Sequence, residues 1–351
     1  MTTMDKIGRV GFWWCVSGVA ASFLHLLNLS SFLVTFTSLA LLSCTVCFLL
    51  ASLTVETVGK TVLITGCDSG FGYALALHLD ALGMGVVACC LDAEGDGGQQ
   101  LREKGSSRLH VLQLDITSGS QLTQALDKVK EILGPHGVLW GLVNNAGINP
   151  YGAVEWVTMD TYRKVCDVNL FGSINVTKVF LPLIRKAKGR VVTMGSVRGR
   201  IASPLGSVYE VTKFALEAFN DCLRMEMKPF GVKVAMIEPG NFTAGTKIFT
   251  EAIVQRYGEQ MWEAMDDEVK ETYGKHFYDN NLLRQTKISK SGNPDVSQVL
   301  VVLTEALTHV YPQARYNPMD FKLYFIMFVA THFPEWIADF VFDQLVVKQT
   351  W

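Results

Sequence analysis

The stretch Thr61–Gly72, "TVLITGCDSGFG", decides the fold. Its first five residues are apolar or β-branched, the composition of a strand covered on both faces. Glycines follow at 66, 70 and 72, so the chain turns tightly at the strand end and enters a helix expected over Gly72–Leu82. A bare backbone at a helix N-terminus also presents amide groups to a phosphate. The spacing is T-G-x-x-x-G-x-G, and by itself such a turn also serves as plain structural punctuation.

Outward from this unit the same alternation recurs. "GVVACCL" (Gly85–Leu91), "LHVLQLDI" (Leu109–Ile116), "WGLVNNA" (Trp140–Ala146), "GRVVTMGS" (Gly189–Ser196) and "VKVAMIEPG" (Val232–Gly240) read as further strands. Segments of helical length and period, such as Ser118–Leu133 and Val208–Pro229, lie between them. The pattern predicts an α/β fold, a doubly wound parallel sheet that is Rossmann-like, with ligands bound outside the carboxyl ends of the strands.

The first 55 residues are different material. From Val10 to Val55 there is no Asp, Glu, Lys, Arg or Pro, and "NLSS" at Asn28–Ser31 divides the stretch. This predicts an N-terminal transmembrane helical hairpin, with helices near Val10–Leu27 and Phe32–Leu53; a single tilted span behind an interfacial segment is the alternative. Lys6 and Arg9 set the N-terminus, and with a hairpin the catalytic domain, on the cytosolic or matrix side. A cleaved signal peptide has a much shorter apolar region. The expected organisation is therefore an anchor over 1–55, a catalytic domain over 56–310 and an apolar C-terminal segment over 311–351.

The 351 residues are 49% hydrophobic with a formal net charge of -2, a balance that offers nothing to nucleic acid. Of eight cysteines, Cys15, Cys44 and Cys47 fall in the apolar segment, where the C-x-x-C reads as inert thiols. Cys67, Cys89, Cys90, Cys166 and Cys222 fit a reducing compartment. No metal site is expected.

The chemistry is concentrated in "SVRGRIASPLGSVYEVTK", where Lys213 follows Tyr209 by one helical turn. A phenol with a pKa near 10 is a poor base at neutral pH, and a neighbouring cation lowers that value toward use in proton transfer. Ser196, at a strand end, is placed to hydrogen-bond a substrate oxygen. Tyr209 and Lys213 alone would equally suit an ordinary amphipathic helix.

Together with "NNAG" at Asn144–Gly147, "VNLFG" around Asn169, Asp115 and "EPG" at Glu238–Gly240, these residues resemble the short-chain dehydrogenase/reductase family over about Val58–His309. The resemblance implies an oxidoreductase acting on a secondary alcohol or ketone, with Tyr209 as acid/base and Lys213 also holding the nicotinamide ribose. Ser196 would polarise the substrate oxygen and Asn169 would anchor a relay water. The glycine turn (Gly66, Asp68, Ser69, Gly70, Phe71, Gly72) would hold the dinucleotide, Asp115 would contact adenine, and Asn145, Ala146 and Gly147 would line the cofactor. Pro239, Gly240 and Thr246 would complete the contacts; relatives often carry a threonine at the position of Ala244, which leaves Thr243 or Thr246 for the carboxamide. Asp92 is the first charge after the second strand and no cation follows until Arg102, which favours NAD over NADP.

Within the family the chain resembles the membrane-associated subgroup acting on hydroxybutyrate, hydroxysteroids and retinol, and "EPGNF" and "RYNPMD" are most like the hydroxybutyrate-oxidising members. That resemblance implies the mitochondrial inner membrane, whereas the anchor resembles those of endoplasmic reticulum hydroxysteroid enzymes. A homo-oligomer is also implied. Asn241–Ser291 reads as a mobile substrate lid. Arg198 and Arg200 are candidates to pair with a substrate carboxylate, or else face solvent. The aromatic tail from Phe321 is expected at the membrane interface, as a lipid contact, or against another subunit.

Overall fold

The computed structural model describes residues 4–345. Residues 1–3 and 346–351 of the expected anchor and tail, and the side chains of Lys6 and Arg9, lie outside this description.

Two apolar helices open the chain, α1 (Met4–Leu26) and α2 (Phe32–Ser52). α1 ends where Asn28 takes a left-handed conformation (φ 53°), with the Asn28 and Leu29 amides donating back to His25 and Leu24. This closure turns α2 back along α1, and the Trp14 indole donates to the Cys44 sulfur at 3.3 Å between them. α2 has the length and apolarity to cross a bilayer, whereas the apolar part of α1, Val10–Leu26, is shorter. At 1.5 Å per residue the latter reaches about 25 Å. Backbone bonds from Val55 to Thr308 (2.7 Å) and from Val310 to Leu53 (2.9 Å) fasten the end of α2 to the globular part.

That part is built on β1 (Lys60–Thr65), β2 (Gly85–Cys90), β3 (Leu109–Gln113), β4 (Val138–Asn144), β5 (Arg190–Met194), β6 (Lys233–Ile237) and β7 (Arg315–Tyr316). All pair in parallel in the order β3-β2-β1-β4-β5-β6-β7. Between them run α3 (Gly70–Ala81), α4 (Asp96–Lys104), α5 (Gly119–Leu133) and α6 (Met159–Cys166). A π-helical turn at Asp167–Gly172 leads into α7 (Ser173–Ala187), and α8 (Ser207–Met227) precedes β6. After β6 come α9 (Glu251–Ala264), α10 (Asp267–Tyr273), α11 (Lys275–Ser289) and α12 (Ser297–Thr308), then α13 (Phe321–His332) and α14 (Glu335–Leu345) beyond β7.

Strand side chains alternate between two cores. Val62, Ile64, Val86, Ala88, Val192 and Ile237 meet Leu75, Leu79, Val302 and Leu303 of α3 and α12. Leu63, Val87, Leu142, Val191 and Val234 meet Leu122, Phe180, Ile184 and Leu223 of α5, α7 and α8. Burial on both faces is what the unbroken apolar runs of the strands encode. The chain leaves β1 toward β3 and returns to β4, so the loops after β1 and β4 part and open a crevice.

Two features differ from expectation. The sheet takes its last strand from Arg315–Tyr316, past the boundary expected at residue 310; a two-residue strand followed by Asn317 and Pro318 has no periodicity to reveal it. The tail also packs on its own chain, since Ile326 and Met327 of α13 lie on Val197 and Ile201 just past β5. Phe325, Phe328 and Trp336 remain exposed.

Candidate active site

The glycine turn is shaped by backbone geometry. Gly66 and Gly70 have φ of 70° and 61°, and a Cβ on Gly66 would stand 2.7 Å from the Ala146 Cα. Only glycine meets both demands at position 66. A Cβ on Gly72 would meet the Asn145 amide nitrogen and the Gly66 carbonyl oxygen, both at 2.5 Å, so Gly72 serves close packing. Ser69, which precedes α3, makes no side-chain cap. The first amides of the helix are left for an incoming anion.

Two neighbouring segments are pinned to this turn. The Asn145 side chain donates to the Thr65 and Gly66 carbonyls at 2.8 and 3.0 Å, while Thr65 Oγ1 accepts from the Asn145 and Ala146 amides. The Asp68 carboxylate accepts from the amides of Leu91 (3.0 Å) and Asp92 (2.9 Å), tying the turn to the end of β2. Asp92 was expected at the cofactor, but its carboxylate accepts from Glu94 and Gly95 at the entrance to α4 and does not line the crevice. An acid three residues before Gly95 finds its amide partners locally. The acid at the crevice wall beside Leu91 is Asp68.

The crevice is one cavity of about 1250 Å³ running past Leu91 and Asp115, along the glycine turn, to the β5–α8 region. Ser69, Gly70 and Phe71 border it, as do Ala146 and Gly147, and Pro239, Gly240, Thr243 and Thr246 complete the wall. The Thr246 side chain lies 3.4 Å from where a Gly70 Cβ would be. Asp115 holds its own loop by accepting from Thr117 N and Oγ1 at 2.9 and 2.7 Å.

At the far end Ser196, Tyr209 and Lys213 converge. The one-turn spacing on α8 sets the Lys213 Nζ 5.4 Å from the centre of the Tyr209 ring, and Nζ donates to the Met194 carbonyl at 2.7 Å. Burial pushes the Tyr209 phenol up to about 12, and hydrogen bonding with Ser196 and the charge of Arg198 pull it back. Burial likewise lowers Lys213 to about 8, opposed by Glu217. The sequence-based expectation of a phenol already lowered by the lysine is thus corrected: both groups are out of water, and desolvation favours the neutral form of each.

Asn169 does not line the cavity. Buried in the π-helical turn, its amide accepts from Ile148 N (2.8 Å) and donates to Ile148 O (2.9 Å) and Thr212 Oγ1 (3.2 Å). It joins the irregular segment that follows β4, at Ile148, to α8 and so ties the cavity wall to that helix. π-helical turns of this kind recur at functional sites.

Arg198 and Arg200 neither face solvent freely nor wait for a ligand. Arg198 donates to Ser203 and to the buried Glu210 carboxylate, and Arg200 pairs with Glu238 at 3.5 Å. Beneath Lys213, Arg315 bridges Glu217 (3.0 Å), Asp221 (2.6 Å) and Glu238 (3.1 Å). Buried carboxylates so close to the arginines claim them first, a pairing that no sequence spacing announces.

The cavity fits a dinucleotide. It runs from Asp115 past the glycine turn to Tyr209, the amides at the start of α3 are uncapped and an acid stands at the β2 end, as such a ligand requires, and residues on both sides of the strand-order reversal contribute.

Residues 60–254 match a family model described as short chain dehydrogenase. The mitochondrial D-beta-hydroxybutyrate dehydrogenase of Rattus norvegicus is 45% identical over 287 residues, 81% of this chain and 84% of that one. The chain belongs to the short chain dehydrogenase family. It is an oxidoreductase of that family. The 17-beta-hydroxysteroid dehydrogenase type 6 of Bos taurus is 44% identical over 289 residues, 80% of this chain and 87% of that one. Among solved structures, a short chain dehydrogenase/reductase from Burkholderia phymatum in complex with NAD aligns with a TM-score of 0.60 at 23% identity, covering 72% of this chain and 86% of that chain. That last likeness bears on the fold.

Proposed function

We propose that this chain is a membrane-anchored, NAD-dependent dehydrogenase that interconverts (R)-3-hydroxybutyrate and acetoacetate, with Tyr209 as acid/base. The observation that carries the reading is the convergence of Tyr209, Lys213 and Ser196 at one end of a cavity whose other end is the glycine turn. The 45% identity to a hydroxybutyrate dehydrogenase supports the substrate.

NAD, when bound, supplies the acceptor for the hydride leaving the alcohol carbon. The glycine turn, Asn145–Gly147 and Thr246 would hold it, and Lys213 would reach its ribose. Asp68 beside Leu91 repels a 2′-phosphate and so selects NAD over NADP. In oxidation the substrate hydroxyl gives its proton to the Tyr209 oxygen; in reduction the phenol returns it. Ser196 orients the substrate oxygen and, by hydrogen bonding to the phenol, together with the charge of Arg198, draws it back toward the phenolate that oxidation requires. Asn169 acts as a positioning residue, fixing Ile148 of the cavity wall against Thr212 of α8, the helix that carries Tyr209 and Lys213.

The apolar pair α1–α2 supports an integral membrane protein with its globular part on the cytosolic or matrix side. The mitochondrial hydroxybutyrate dehydrogenases among the relatives support a mitochondrial membrane, and the anchor type supports the endoplasmic reticulum. The apolar substrate wall, which includes Ile201, Leu205, Phe249 and Leu323, favours a second reading in which the substrate is a hydroxysteroid or retinol.

One assay separates them: NAD reduction by the full-length protein in detergent and lipid, offered (R)-3-hydroxybutyrate, a 17-hydroxysteroid or retinol. Saturable turnover of the hydroxy acid supports the first reading. Turnover of steroid or retinol with no response to the acid overturns it.

A further inference from the structure

On the lid, Arg256 and Gln285 make no side-chain hydrogen bond or ion pair among the described residues. α9 and α11 pack antiparallel: Gln255 Nε2 donates to Thr286 Oγ1 at 3.4 Å, and a Cβ on Gly258 would stand 2.7 Å from Leu282 Cδ1. This register sets Arg256 and Gln285 at the same level of the two helices, and both line the cavity that holds Tyr209. Gln285 is 6% exposed, yet its amide makes no hydrogen bond among the described residues. Arg256 has no acidic partner among those residues; its guanidinium lies only against the neighbouring Tyr257 ring, 5.3 Å from the centre.

A largely buried amide that reaches a cavity without a protein partner is free to bond whatever fills the cavity. The other cations of the cavity wall are disposed differently. Arg198 is held by Glu210 and Lys213 by Met194. Lys247 follows Thr246, which packs at the glycine turn, and Lys164 lies on α6 between Asp160 and Asp167. Arg256, exposed at the cavity rim, thus offers a guanidinium without an acid partner among the described residues, at the helical level of the Gln285 amide.

We infer that Arg256 and Gln285 form the subsite that binds the carboxylate of a short hydroxy acid, the guanidinium by paired N–H donors and the amide by its NH₂ group. This rests on the function proposed above and gives it a source of specificity. A neutral steroid or retinoid would leave both groups unpaired, and a site built to hydrogen-bond its substrate discriminates strongly against analogues that cannot.

The test compares (R)-3-hydroxybutyrate with its methyl ester as substrates of the full-length enzyme in detergent and lipid. In Arg256→Gln the ratio of kcat/KM for acid over ester falls about 30-fold, as expected when one charge-assisted pair is lost. In Gln285→Leu it falls about 5-fold, in Arg256→Lys less than in Arg256→Gln, and the change appears in KM for the acid rather than in kcat. Thermal melting and NAD titration confirm that each variant is folded. If the wild type oxidises the acid and the ratio is unmoved in Arg256→Gln, the subsite is wrong while the proposed function stands. A wild type that turns over the ester or a steroid but never the acid overturns both.

Discussion

The Lys213 ammonium stands 5.4 Å from the centre of the Tyr209 ring and spends one of its protons on the Met194 carbonyl. Neither group is at its ordinary pKa: the phenol is up at about 12 and the lysine down at about 8, each through burial. Because the phenol is protonated at neutral pH, kcat/KM for alcohol oxidation rises with pH between about 6 and 9, while carbonyl reduction stays level or declines. A pH–rate profile in both directions checks this. Oxidation that slows across the same window would contradict it.

Arg315 is the cation that makes a buried cluster of acids tolerable. Burial and the charge of Glu238 raise Glu217 to about 8, and Arg315 pulls it back. A carboxyl raised above its unfolded value binds more protons in the folded state, so its contribution to stability is lost as pH climbs from about 4.5 to 8. Arg315→Met removes the compensation and costs about 3 kcal/mol at a pH near 8.5, with about half of that at a pH near 6 where Glu217 is protonated. Denaturant melts at the two pH values measure it. An equal loss at both would show that Glu217 is not the group responsible.

Gly66→Ala places a methyl 2.7 Å from the Ala146 backbone at a φ of 70°. The variant loses about 2 kcal/mol of stability and at least about tenfold in NAD affinity, since the turn and the Asn144–Gly147 segment must part. Calorimetry and NAD fluorescence titration read the two effects separately. Unchanged affinity would mean that the turn does not contact the cofactor.

The wild type prefers NAD to NADP by at least about tenfold, through repulsion between Asp68 and a 2′-phosphate. Leu91, exposed at the cavity wall, has no charge to offer, and Leu91→Arg narrows the preference by raising NADP use. Paired kcat/KM measurements decide it. A wild type that favours NADP would remove the basis for the cofactor assignment.

The sheet was legible because both-face burial writes apolar runs, and the sequence marks every long strand within a few residues. The reactive end was legible because Tyr209 and Lys213 share a helix, where a spacing of four is a distance. What escaped was long-range pairing. Glu210 takes Arg198, Glu238 takes Arg200, and Arg315 reaches Glu217, each through tertiary contacts. Asp92 finds its amide partners locally, at Glu94 and Gly95, whereas the Asp68 carboxylate reaches across to the end of β2, a contact that no spacing in the turn announces. Composition alone places α13 at the membrane interface or against another subunit, and its docking on Val197 and Ile201 depends on where β5 ends. Arg256 and Gln285 carry no motif at all; the packing register of α9 and α11 sets them at one level of the two helices.

The account turns on the phenol oxygen of Tyr209 as the atom that exchanges a proton with substrate. Single-turnover NAD reduction by Tyr209→Phe, with NAD binding verified by titration, tests it most directly. The rate falls at least about 10³-fold while NAD affinity stays within about threefold, since only the hydroxyl is lost. A folded Tyr209→Phe protein that reduces NAD at the wild-type rate would contradict the mechanism.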